Sequence, residues 1–139
     1  MDRNVKLYAA KGKKLDDPTR YRKMVGSLIY LTLTQPEIAF LVGVLSRFMQ
    51  DPRKPHMVAM KEVLKYIKAT VGKGLRFRSE DEPKLTGYCD ADYAGDVNTR
   101  RSTTGYVFLF GSSPLSWCSK RQPTVSLSTT EAKYRAAAV

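Results

Sequence analysis

The spacing of apolar residues changes once along this chain, near Gly74, and that change constrains the fold more than any other feature. Before it, apolar residues recur at helical intervals. Asp16, Asp17 and Pro18 signal a helix start. Tyr21, Met24, Val25, Leu28 and Ile29 then make a first stripe. Thr34-Gln35-Pro36 breaks it and sets a proline in the first turn of a second helix. That helix carries Ile38, Leu41, Val42, Leu45, Phe48 and Met49, and Asp51-Pro52 stops it. Met57, Met60, Leu64 and Ile67 form a third stripe ending near Gly72. Three amphipathic helices with short connections predict an antiparallel helical cluster.

After Gly74 the period shortens to two. Leu75-Arg76-Phe77-Arg78 alternates and reads as a short strand. The polar turn Glu80-Asp81-Glu82-Pro83 is the candidate domain boundary. Leu85–Asp92, Gly105–Phe110 and Leu115–Ser119 follow as strand-like runs, an antiparallel meander. Ser128-Thr129-Thr130-Glu131 fits a capping box, and the Ala-rich residues after it continue as a helix. The expected class is α+β. It has a polar basic arm over residues 1–17, which reads as loose, a helical segment over 18–79, and a strand-helix domain over 84–139.

Charge is uneven. Residues 1–75 hold 15 Lys+Arg against 6 Asp+Glu, a net of +9, and residues 76–139 hold 9 against 7, a net of +2. A basic first half suits phosphate contact, and equally a solvated surface. Lys61, Lys65 and Lys68 share one side of the third helix and read as a phosphate-tracking ridge or a solvated face. Arg100, Arg101, Lys120 and Arg121 flank the meander, with the same two readings. The first residues lack the apolar region of a secretory signal, and no apolar run suits a membrane span. An intracellular protein with no membrane partner is expected. Cys89 and Cys118 read as free core thiols, and two Cys with one His do not supply a zinc site.

Asp is depleted in strands, yet Asp90 and Asp92 stand at alternate positions of one, and so on one face. Like charges at that distance repel unless a cation or a turn relieves them. Hard Mg²⁺ takes such oxygen ligands. The alternative is that Asp92 to Asp96 are turn residues. Glu131 likewise reads either as the local capping glutamate or as a second carboxylate brought to the strand by packing.

Two blocks resemble the Pol polyprotein of copia-type LTR retrotransposons, over the end of reverse transcriptase and the start of RNase H. They are "LDDPTRYRKMVGSLIYLTLTQPEIAFLVGVLSRFMQDPRKPHMVAMKEVLKYIKAT" and "LTGYCDADYAGDVNTRRSTTGYVFLFGSSPLSWCSKRQPTVSLSTTEAKY". The resemblance implies an RNase H fold of three antiparallel strands, a helix, then parallel strands. Acidic residues there bind two Mg²⁺ and cleave the RNA of an RNA/DNA hybrid. By position Asp90 matches the first-strand catalytic aspartate and Glu131 the catalytic glutamate on the first helix, with Asp92 a weaker metal ligand. The family's third and fourth carboxylates fall beyond Val139, and its polymerase aspartates before Met1. Lys133 stands where the family usually has Glu, Gln35-Pro36-Glu37 where it has Arg-Pro-Asp, and Tyr93 where it has Trp.

A truncated RNase H-like unit in an excised, host-encoded fragment is therefore expected. Its open sheet edge would take a host protein or a second copy. Three functions follow from this reading. One is a non-catalytic module binding nucleic acid or a partner protein. Another is a residual Mg²⁺-dependent RNase H completed by dimerisation. The third is a translated relic without selected activity.

Overall fold

The computed structural model describes residues 6–78 and 82–139, which divide into two compact units, 1–74 and 75–139. Residues 79–81, within which the expected boundary turn begins, lie outside the described residues, as do residues 1–5 of the arm. The division itself falls between Gly74 and Leu75.

In the first unit, α1 spans Pro18–Leu31. Asp17 caps it, its Oδ1 accepting from the N–H of Thr19 (2.9 Å) and Arg20 (3.3 Å), and Pro18 occupies the first turn, where no N–H is needed. A 3₁₀ turn, Pro36–Ile38, leads into α2, Ala39–Ser46, and α3 spans Lys54–Thr70. Tyr21, Val25 and Leu28 of α1, Ile38, Val42, Leu45 and Phe48, and Ala59, Met60 and Val63 of α3 form one core. Tyr21 donates its hydroxyl to the Leu45 carbonyl at 2.8 Å, and burial pushes its phenol far up.

Two expectations shift here. The buried side of α3 is His56, Ala59, Met60 and Val63, while Leu64 is exposed. A hydropathy pattern leaves out histidine, yet the His56 ring is buried and stacks on Phe48 (centroids 3.9 Å, 18° between planes). The arm is not loose over residues 7–15. Leu7 is in the core, Lys54 N–H donates to the Lys13 carbonyl (2.9 Å), Leu15 N–H donates to that of Pro52 (3.2 Å), and Lys14 bridges to Arg53.

In the second unit, β1 (Leu85–Asp92), β2 (Thr103–Phe110) and β3 (Ser113–Arg121) form an antiparallel sheet in the order β1-β2-β3. Asp92 pairs with Thr103 and Thr103 with Arg121, so the ladder runs past the apolar run that marked each later strand. Hydrogen bonding, not hydropathy, sets those ends. Gly111 turns β2 into β3 at a φ of 58°, which favours glycine. Leu75–Arg78 joins no ladder; the Arg76 carbonyl accepts the Ser113 hydroxyl instead.

α4, Thr129–Ala137, packs on β1 and β2 through Ala91, Ala132 and Ala136. A buried amide fastens it: Gln122 Nε2 donates to Thr104 Oγ1 (3.1 Å) and to the Ala132 carbonyl (2.9 Å), and its Oε1 accepts from Ser126 (3.0 Å). Three alanines cover little of the sheet, and Leu85, Tyr88, Phe108, Phe110 and Leu115 are exposed. The cysteines are free as expected but are not core thiols. Cys89 is exposed and Cys118 half-buried, and neither belongs to the alanine cluster under α4. No described helix is long and apolar enough to cross a membrane.

Leu45→Ala is expected to cost about 2–5 kcal/mol in urea denaturation, since it empties a fully buried site. Leu127→Ala, at a residue 90% exposed, is expected to stay within about 0.5 kcal/mol.

Candidate functional site

The acidic end of β1 is built by strand alternation. Ala91 is buried against α4, and its neighbours Asp90 and Asp92, which alternate with it along the strand, are exposed. They do not act as a pair. The Asp90 carboxylate, 77% exposed, meets Lys133 of α4 at 3.6 Å. The Asp92 carboxylate folds back over Gly95, into the space a Cβ there would take, and the Asp92 carbonyl accepts the Gly95 N–H. Asp92 is thus part of the turn after β1.

Glu131 takes its local role. Its Oε2 accepts the Leu127 N–H at 2.7 Å, and its Oε1 accepts Arg135 Nε (3.0 Å) and Nη2 (2.7 Å). Ser128 Oγ accepts the Glu131 N–H at 3.0 Å, which completes a reciprocal cap displaced by one residue from the usual box. The Leu127 N–H first, and then Arg135, hold the Glu131 carboxyl below its ordinary value.

The carboxylate that organises this end of the unit is Asp96, which the sequence reading left among turn residues. Its side chain is 3% exposed. It accepts from the Asn98 N–H (3.0 Å), Asn98 Nδ2 (3.4 Å), Thr99 Oγ1 (2.8 Å) and Arg121 Nη1 (2.6 Å). Its backbone closes the same loop, donating to the Arg101 carbonyl and accepting from the Arg100 N–H. Ser102, fully buried, donates a second closure by accepting the Ala94 N–H through its hydroxyl oxygen. The signal available in sequence was D-x-N-T, an acidic turn residue followed by side chains able to reach back.

The basic candidates fall in two places. Lys61, Lys65 and Lys68 are exposed on α3, at the spacing that puts them on one side, with Lys65 paired to Glu62 at 2.8 Å. Arg100, Arg101, Lys120 and Arg121 belong to the second unit. Arg100 is exposed at a φ of 58°, Arg101 is half-buried, Lys120 is exposed opposite Thr104, and the Arg121 guanidinium is given to Asp96.

A two-metal centre needs several carboxylates converging on ions about 3.5–4 Å apart. Among the described residues no group of three or more His, Cys, Asp or Glu is placed to hold a metal ion. Asp90 and Glu131 each engage a cation of α4. This donor set does not fit a two-Mg²⁺ centre.

Comparison with known proteins places the chain. It is 51% identical over 118 residues to a retrovirus-related Pol polyprotein from transposon TNT 1-94 of Nicotiana tabacum, covering 84% of this chain and 9% of that protein. It is 44% identical over 133 residues to the Pol polyprotein from transposon RE1 of Arabidopsis thaliana, covering 96% of this chain and 9% of that protein. It is also 49% identical over 117 residues to secreted RxLR effector protein 161 of Plasmopara viticola, covering 84% of this chain and 82% of that protein. The chain belongs to the copia-type Pol family. It spans about a tenth of the length of the transposon Pol polyproteins it matches. No family model and no solved structure matches it. The Pol resemblance agrees with the α+β architecture, a three-stranded antiparallel sheet followed by a helix.

Asp96→Asn is expected to cost this Pol unit about 2–3 kcal/mol, because Arg121 and the loop donors lose a charged acceptor. Asp90→Asn should change stability by less than about 1 kcal/mol, as its ion pair is exposed. Urea titrations of the two variants make the comparison.

The cap also carries a pH signature. A carboxyl held low in the folded state stabilises above the unfolded value of 4.5, and that stabilisation is lost as pH falls below it. Amide exchange across α4 should quicken below pH 4.5, beyond the intrinsic change, and Glu131→Gln should abolish that dependence.

Proposed function

We propose that the chain is a Pol-derived binding module that holds nucleic acid by its phosphates and does not hydrolyse it. The observation that carries this reading is the ridge of Lys61, Lys65 and Lys68, exposed along α3 in the half of the chain with net charge +9. Seven residues of helix span about 10 Å, so the three ammonium groups form a line that follows a backbone rather than a single anion pocket. Such contacts are independent of sequence and release counterions.

The state of the two candidate catalytic carboxylates supports the absence of hydrolysis. Lys133 and Arg135 occupy the places where positive charge would be required. A relative of which this chain covers 82% is named a secreted effector protein, which speaks for a role of such a stretch outside a polyprotein. A second reading has its own observation. Among the described residues β1 pairs only with β2, so its outer edge is open to strand addition by a protein partner or a second copy.

One set of samples tests both. Fluorescence anisotropy with a labelled RNA/DNA hybrid should show affinity falling steeply with salt. Replacing Lys61, Lys65 and Lys68 by Gln should flatten the slope of log K against log salt by about 0.9 per lysine removed. An unchanged slope would sink the ridge. Sedimentation of the same samples without nucleic acid would reveal concentration-dependent association and favour the β1 edge. Hybrid cleavage with Mg²⁺, absent with EDTA and lost in both Asp90→Asn and Glu131→Gln, would replace the binding module with a residual RNase H.

A further inference from the structure

Residues 7–15 are held to the start of α3 by a set of contacts, one of which is made by a buried side chain. His56, the single histidine of the chain, is fully buried. Its Nδ1 accepts the Arg53 N–H at 3.0 Å, which caps α3 and requires that nitrogen to be bare. The hydrogen then belongs on Nε2, assigned from this network, which donates to the Tyr8 carbonyl at 3.1 Å. The ring is clamped against Phe48. One imidazole thus joins the arm, the loop before α3 and the helix itself.

The charges around it are few. Arg53 donates to the carbonyls of Ala10 (2.9 Å) and Gly12 (3.0 Å) and pairs with Asp51 at 3.1 Å. Lys14 of the arm pairs with the same Asp51 at 3.2 Å. Lys11 lies over the Tyr8 ring at 5.8 Å. Arg22 of α1 is turned to the carbonyls of Met49 and Gln50. Gly12, at a φ of 90°, lets the arm close on Pro55, where a Cβ would stand 2.6 Å from Pro55 Cδ.

We propose that His56 is an acid-operated latch, whose protonation on Nδ1 uncaps α3 and releases residues 7–15. A proton there sets two N–H groups face to face at the cap, and among the described residues no carboxylate hydrogen-bonds to the ring to receive the charge. Burial, above all, opposes the charge, and Arg53 opposes it too; the Tyr8 carbonyl and Asp51 favour it without prevailing. The sign follows. The latch is whole above the ordinary histidine value of 6.5, and its contribution is lost as pH falls below 6.5 toward the lower folded value.

The single histidine makes the test direct. NMR of the full chain follows the His56 ring and the amides of residues 7–15 from about pH 7.5 to about pH 5. The ring should titrate below 6.5. Amide protection of residues 7–15, corrected for intrinsic rates, should drop about tenfold per pH unit across the window. His56→Gln keeps an acceptor for the Arg53 N–H and takes no proton, so its protection should be flat in pH. Titration at or above 6.5, unchanged protection while the ring titrates, or the same pH dependence in His56→Gln would each overturn the latch. Should the variant fail to fold, the wild-type titration decides alone.

Discussion

A buried carboxylate holds the second unit in shape. Asp96 is almost fully removed from water, and a charge in that position is tolerable only with its donors supplied. Its donors include the N–H and amide of Asn98, the Thr99 hydroxyl and the Arg121 guanidinium. Arg121 pairs with Thr103 in the ladder, so one carboxylate ties the β1–β2 connection to the end of β3. Arg100 and Arg101 on the loop are bonded through their backbone to Asp96 as well. In a unit whose apolar core is three alanines, this polar network does much of the positioning that hydrophobic packing does elsewhere.

The first unit is built in the opposite way. Its core is a continuous set of apolar side chains, and two polar side chains enter it with their hydrogen bonds made. Tyr21 delivers its hydroxyl to the Leu45 carbonyl, and His56 uses both ring nitrogens. These two residues reach across the helical cluster where a plain hydrocarbon would only fill space. The contrast bears on function. The helical unit presents lysines on a scaffold stabilised from within, whereas the sheet unit leaves apolar side chains and a strand edge uncovered.

The carboxylates that suggest catalysis show how a shared residue pattern diverges in its use. Asp90 and Glu131 are the carboxylates that the resemblance singled out, yet Lys133 lies beside the first and Arg135 holds the second. Glu131 also serves the helix by accepting the Leu127 N–H, a role available to any chain with serine three residues earlier. The negative charge that would attract metal is balanced by two cations of α4, Lys133 and Arg135.

The sequence by itself determined the α+β class, the family and the order of the elements, apart from the strand expected at residues 75–78, which joins no ladder. The signals that did so are local. Asp17 and Pro18 start α1, Pro36 opens the second helical segment, Ser128 caps α4, and Leu85–Asp92 alternates as a strand with those same ends. Each depends on neighbours within a few residues, so each is written in the chain. Tertiary structure decided the rest. It buried His56 and exposed Leu64 on one helix, pinned residues 7–15, carried β2 and β3 beyond their apolar runs, and left the cysteines out of the core. It also chose Asp96, rather than Asp90 or Asp92, as the carboxylate to bury. The reason is common to all of these. Which polar group is buried depends on partners that lie far away in sequence, the Arg121 guanidinium as donor to Asp96 and the Tyr8 carbonyl as acceptor from His56, and periodicity carries no record of them.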